Sequence, residues 1–338
     1  MENIALVTEH LRKKIVEAGG DPNRETLTVI PTVDGKSYYR AEDGACYRLY
    51  LFIERAVSYD MAETPEMFAA SAHAFGKFQR MLADFPSEKL HETIPHFHDT
   101  GDRLRQFREA LEKNAAGRAD SVKEEISFVL DRASDVTVVT DAIADGSVPL
   151  RVTHNDTKLN NVMLDEKTGE GVCVIDLDTV MPGSLLYDYG DSLRFGASTG
   201  AEDETDLSKI WFDLTYFEAY TDAFLSEVGA SMTKKEVELL PFSAKLLTLE
   251  CGMRFLADSL VDKSDRLQRT EKKCILATSC HYLDRHTALE HLDILLLLVF
   301  VKFLKLRLLC ADERFPKSIV LLLIHRTVYI ISVALVIS

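Results

Sequence analysis

The chain has 338 residues, 39 of them Lys or Arg and 54 Asp or Glu, for a net charge of −15. That balance argues against a generic nucleic-acid binder, which needs a basic face to displace phosphate counterions. The charge is uneven: residues 263–338 hold 12 basic and 7 acidic side chains, a net of +5, which leaves −20 on residues 1–262. All 16 glycines lie at or before Gly252.

The chain opens on an amphipathic helix, with Ile4, Leu6, Val7, Leu11 and Ile15 at helical spacing and Gly19-Gly20 as its stop. Three strand-like segments follow: Thr26–Val33, Lys36–Ala41 and Ala45–Glu54. Asp34-Gly35 and Asp43-Gly44 separate them, and Asp-Gly between such runs predicts hairpins, hence a small antiparallel meander. Pro65 opens a helix over Glu66–Leu82. Further helices are expected over Asp102–Asn114 and Val122–Asp135, then Leu207–Leu225 and Lys234–Leu260. Strand and loop occupy Leu150–Thr179. A sheet followed by mostly helical chain predicts an α+β protein.

The six cysteines, Cys46, Cys173, Cys251, Cys274, Cys280 and Cys310, form no CxxC pair and follow no secretory signal, so they read as reduced, cytoplasmic thiols. Near the C-terminus the apolar runs Ile294–Val301 and Ile319–Ile324 are each ended by charge. Neither reaches the ~20 apolar residues of a bilayer span, so a membrane role is not expected.

The chemistry concentrates in Val152–Asp178, VTHNDTKLNNVMLDEKTGEGVCVIDLD. A strand leads to His154-Asn155-Asp156, and Asn161 follows five residues after Asp156. Val162-Met163-Leu164 and Val172–Ile175 make a hairpin turned by Gly169 and Gly171, ending at Asp176. Such a hairpin brings Asp156, Asn161 and Asp176 to one end of a ribbon. Two hard oxygen ligands beside an Asp placed as a base suit metal-assisted phosphoryl transfer. One Asp or Asn alone is more often a turn former; the whole pattern is far more specific.

These residues resemble the catalytic loop and metal-binding segment of the aminoglycoside phosphotransferase and choline kinase superfamily. Within it the words THNDTKLNNVML, VIDLDTVMPG, LYDYGDSLRFGA and CGMRFLADSL are most similar to the N-acetylhexosamine 1-kinase group. The resemblance implies a protein-kinase-like, two-lobed α+β fold. Residues 1–56 would be a truncated N-lobe and hinge, 57–262 a mostly helical C-lobe, and 263–338 a hydrophobic tail. It implies ATP as phosphate donor, Mg²⁺ as cofactor and a small-molecule acceptor, an amino sugar. Asp156 matches the catalytic base, with Asn161 and Asp176 as metal ligands. Phe52 and Ile53, in the hinge Tyr50–Arg55, match adenine contacts. Lys158 would neutralise phosphate or stay solvated, and Asp178 would touch sugar or metal. Arg254 matches a sugar contact; the plain alternative is a surface arginine paired with Glu250 at i−4. His154, Asp188 and Asp191 match residues that brace the loop.

Two departures stand beside the match. The superfamily's glycine-rich phosphate loop and its basic strand residue are expected before the first helix, and residues 1–18 hold neither, so Glu9 would lack its basic partner. After Leu260 the sequence leaves the family pattern, and only Leu283-Asp284-Arg285 matches it faintly. An added hydrophobic segment or a shifted reading frame would each produce this. Two functions follow: a sugar-1-kinase, or a catalytically dead remnant that binds ligands or partners.

Overall fold

The computed structural model describes residues 1–200 and 209–261, all within one compact unit. The expected tail 263–338, with its apolar runs and Cys274, Cys280 and Cys310, lies outside the described residues, as does the start of the helix expected from Leu207.

Helix α1 spans Glu2–Glu17 and buries Ile4, Val7, Leu11 and Ile15, whereas Leu6 faces solvent. Gly19, at φ +78°, ends it: its amide and that of Gly20 turn back onto the carbonyls of Val16 and Ile15. Glu9 pairs with Lys13 along the exposed face.

The three long strands expected next are instead four two-residue strands: β1 Val29–Ile30, β2 Tyr39–Arg40, β3 Cys46–Tyr47 and β4 Leu49–Tyr50. The turn at Asp43-Gly44 joins β2 to β3, with Gly44 at φ +87°. The turn at Asp34-Gly35 closes locally, yet β1 pairs with β4 rather than β2. Burial explains the short ladders. Tyr39, Tyr47 and Leu49 are all more than half exposed, so the segment has little packed face to stabilise pairing.

Helix α2, Pro65–Met81, has Thr64 as N-cap accepting the Met67 amide at 3.3 Å and proline at its first position. It buries Phe68, Phe75 and Phe78. Helix α3, Thr100–Lys113, is capped by the Asp99 carboxylate, and α4 covers Lys123–Asp131. Two helices lack a counterpart in the sequence expectations: α5, Val138–Ala144, and α6, Leu185–Gly196. Helices α7, Leu214–Val228, and α8, Lys234–Val261, complete the set.

Three strand pairings frame the site. Strand β5, Ala56–Val57, joins β7, Val162–Asp165, which pairs with β8, Gly171–Val174. Strand β6, Arg151–Thr153, pairs antiparallel with β9, Met181–Gly183. Helix α6 lies beneath, packed on α8 so closely that a Cβ at Gly190 would meet the Ser243 carbonyl oxygen at 2.5 Å. Among the described residues no helix is long and apolar enough to cross a membrane.

Candidate active site

Strand β6 delivers the chain into His154-Asn155-Asp156, and α6 holds that loop from below. The buried Asp188 carboxylate accepts the amides of His154 at 3.0 Å and Asn155 at 2.7 Å, together with the Gln79 side-chain amide. Burial pushes this carboxyl up, against the pull of the two loop amides and Gln79. One turn along α6, Asp191 accepts the Thr157 amide at 3.0 Å. Burial opposes its ionisation, but the Arg194 guanidinium and His98 outweigh it and hold Asp191 below the usual carboxylate range. The Thr157 hydroxyl donates to the Asp188 carbonyl at 2.5 Å, and Ser192 donates to the Thr157 carbonyl at 2.8 Å. The amides of His154, Asn155 and Thr157 and the Thr157 carbonyl therefore all find partners on α6, as burial requires.

His154 is fully buried, edge-on to Phe75 and Phe78. Its Nε2 lies 2.8 Å from the Ile175 carbonyl, and its Nδ1 faces the Asp156 amide at 3.3 Å. A carbonyl can only accept and an amide can only donate, so the ring carries its proton on Nε2. It ties the loop to Ile175, between the end of β8 and Asp176.

The hairpin brings the expected trio together. The Asn161 amide nitrogen donates to the Asp156 carbonyl at 2.8 Å and to its carboxylate Oδ2 at 3.1 Å. The Ile175 amide bonds to the Asn161 carbonyl at 2.9 Å, which sets the next residue, Asp176, alongside. Asp176 sits at φ +55°. The residue is exposed, but its carboxyl is pushed up by partial desolvation first, then by the charges of Asp178 and Asp156. Lys158 Nζ stands 3.8 Å from Asp156 Oδ1 and over the Phe195 ring.

Three expected contacts look different in place. Asp178 grips the Arg48 guanidinium with both oxygens, which holds its carboxyl below the usual range. Phe52 is largely exposed and Ile53 buried, so these adjacent side chains face opposite ways. The i−4 pairing of Arg254 with Glu250 does not form. Glu250 turns inward to His98 at 2.8 Å and Thr100 at 2.6 Å, while Arg254 is exposed over the Phe255 ring. A buried imidazole in low dielectric competes better for that carboxylate than a solvated guanidinium.

Arg48, Gln79, His98 and Thr100 have no place in the sequence expectations, and Glu250 has one only as the partner of Arg254. No motif marks them, because each reaches the site across a long stretch of chain; His98 and Asn155 are 57 residues apart.

The fold and this loop are those of kinase-like phosphotransferases that take an alcohol group of a small molecule as acceptor. The chain belongs to the phosphotransferase enzyme family APH, whose pattern matches residues 28–221. In fold it is similar to the microcompartment-associated aminopropanol kinase, at 16% identity and TM-score 0.56, covering 85% of this chain and 82% of that one. It is also similar to an aminoglycoside phosphotransferase from Alicyclobacillus acidocaldarius, at 15% identity and TM-score 0.56, covering 86% and 84%. A third is amicoumacin kinase hAmiN in complex with AMP-PNP, Ca²⁺ and Ami, at 13% identity and TM-score 0.51, covering 82% and 77%.

Proposed function

We propose that this chain transfers the γ-phosphoryl group of ATP to the anomeric hydroxyl of an N-acetylhexosamine, with Asp156 as the base. The observation that carries the reading is the Asn161 amide pinned on both the carbonyl and the carboxylate of Asp156. It leaves Oδ1 of Asp156, 3.8 Å from Lys158 Nζ, as the oxygen to take the acceptor proton. As that proton passes to Asp156, the sugar oxygen bonds to the γ-phosphorus, the bond to the β-phosphate oxygen breaks, and ADP leaves. Phosphoryl transfer asks the protein mainly for positioning and charge stabilisation.

The residues present fit Mg²⁺. The Asn161 nitrogen is spent on Asp156, so its oxygen remains as a donor. Asp176 supplies a carboxylate crowded by two others, an arrangement a cation relieves. Among the described residues no three His, Cys, Asp or Glu side chains cluster as a full protein cage, and Mg²⁺ uses few protein ligands beside substrate phosphates. When bound, the ion supplies charge neutralisation at the phosphates. Lys158 adds a second cation there. In this reading Phe52 and Ile53 border the adenine, Asp178 acts through Arg48, and Arg254 reaches the sugar from α8. Residues 1–56 belong to the nucleotide side and 57–262 to the acceptor side.

The test is ADP release by the purified chain with ATP, Mg²⁺ and a panel of N-acetylhexosamines, choline, ethanolamine and aminoglycosides. Turnover fastest with N-acetylhexosamines is expected. Equal turnover by Asp156→Asn sinks the base assignment. A preference for another acceptor keeps phosphotransfer and removes the sugar. Mg-ATP binding with no turnover on any acceptor favours the ligand-binding alternative.

A further inference from the structure

We infer that His98 is a positioning residue of this site, a buried cation that clamps the Asn155 carbonyl and so fixes the peptide carrying Asp156. The inference rests on the reading of Asp156 as the base.

His98 sits in the turn before α3, and its side chain is 10% exposed. Nδ1–H donates to Glu250 Oε1 at 2.8 Å, and Nε2–H donates to the Asn155 carbonyl at 2.9 Å. Both partners are acceptors, and the second Glu250 oxygen already takes the Thr100 hydroxyl at 2.6 Å. An imidazole that donates from both nitrogens is an imidazolium. Around it stand Glu250 from α8, Asp191 and the Tyr187 ring from α6, and the Phe97 ring of its own segment; the neighbouring Asp99 carboxylate turns away to His96 and the Asp102 amide. Burial alone would lower the proton affinity of His98. Glu250, Asp191 and the Asn155 carbonyl more than offset it, and the result lies above the ordinary histidine value.

The clamp matters because of where it acts. Asn155 adopts φ +66°, a conformation that non-glycine residues hold only under restraint. Asp188 takes its amide from one side, and its side-chain nitrogen donates to the Thr179 carbonyl at 2.9 Å. His98 takes its carbonyl from the other side. The peptide between Asn155 and Asp156 is held at its other end only by the longer 3.3 Å contact of the Asp156 amide with His154 Nδ1, so the 2.9 Å bond from His98 is the tighter restraint on its rotation, which would shift the Asp156 carboxylate relative to the acceptor oxygen. The anchor of His98 is Glu250, one helical turn before Arg254. The same ion pair therefore joins the helix proposed to reach the sugar to the loop that carries the base.

The experiment uses the full 338-residue chain. Nitrogen-15 spectra of the His98 ring are expected to show both nitrogens protonated at neutral pH. His98→Phe is expected to lower kcat about 10- to 100-fold, with the KM for ATP changed no more than about twofold, because misplacing a base costs rate rather than nucleotide binding. Glu250→Gln leaves a neutral ring able to accept from the glutamine amide and still donate Nε2–H to Asn155. Its loss of kcat should be smaller than that of His98→Phe. An unprotonated Nε2, or a folded His98→Phe with unchanged kcat, overturns the inference. Absence of transfer by the wild-type chain on every acceptor overturns the Asp156 reading instead. Amide exchange at Asn155–Thr157 then decides the clamp: faster exchange in His98→Phe supports it, and unchanged exchange rejects it.

Discussion

The Arg48 guanidinium forks onto both carboxylate oxygens of Asp178, each bond 2.6 Å long. The pair ties the segment between β3 and β4 to the residues that follow Asp176. Lysine carries the charge but not the planar fork, so Arg48→Lys should recover only part of what Arg48→Ala removes. Asp178 remains more than half exposed, so the loss in Arg48→Ala should be about 1 kcal/mol. The urea midpoints of the three proteins, in the order wild type, lysine, alanine, check this.

Asp188 gives a larger effect. Its carboxylate, 1% exposed, is the shared acceptor for two loop amides and Gln79. In Asp188→Asn an NH₂ group must face at least one N–H donor, leaving a buried donor unsatisfied. The cost should be about 3 kcal/mol, since a buried donor without an acceptor keeps its full desolvation penalty. Denaturant unfolding measures it. A loss below that of Arg48→Ala would show that the loop does not depend on this carboxylate.

What could be read from the sequence was what is local. The strand, loop and hairpin of Val152–Asp176 share one stretch of chain, and the periodicity of α1 and α2 is set by their own burial. The early sheet was overread because alternating Tyr, Val and Leu imply a packed face that Tyr39, Tyr47 and Leu49 do not have. Helix α6 was legible only as the words around Asp188 and Asp191, because its polar stripe, Asp188, Asp191 and Ser192, is buried against the loop instead of facing solvent. The His98–Glu250 and Arg48–Asp178 pairs join residues 152 and 130 positions apart, and single-chain patterns carry no record of such partners.

The cysteines should differ sharply in reactivity. Cys46 is exposed, whereas Cys173 is buried on β8 and its thiol is pushed up to about 12 by burial. Iodoacetamide at mildly alkaline pH should label the Cys46 peptide and spare Cys173 until denaturant is added, because the thiolate is the nucleophile. The same shift has a sign for stability. The unfolded thiol ionises near 9.0 and the folded one near 12, so its contribution is complete below the lower value. It is lost as pH rises through this window, at about 1.4 kcal/mol per pH unit. Cys173→Ala should flatten that part of the urea-midpoint profile. An equal slope in wild type and variant would assign the alkaline loss to other groups.

Asp176 should trade stability against function. It is exposed, yet partial desolvation and the charges of Asp178 and Asp156 disfavour its ionised form, an effect that solvent screening keeps small. In metal-free protein an ionised Asp176 is therefore a net cost. Asp176→Asn removes the charge and keeps the shape, so the metal-free variant should melt at a higher temperature than the wild type. The same change removes the carboxylate proposed to hold Mg²⁺, and turnover should fall by at least about 100-fold, as when a charge-stabilising group is lost. Wild type should gain thermal stability when Mg²⁺ and a non-hydrolysable ATP analogue are added together, and the variant should gain much less. Thermal melts with and without these ligands, paired with ADP release, test both halves. A variant that melts lower than wild type without metal would show that Asp176 is held by favourable contacts rather than crowded by charge.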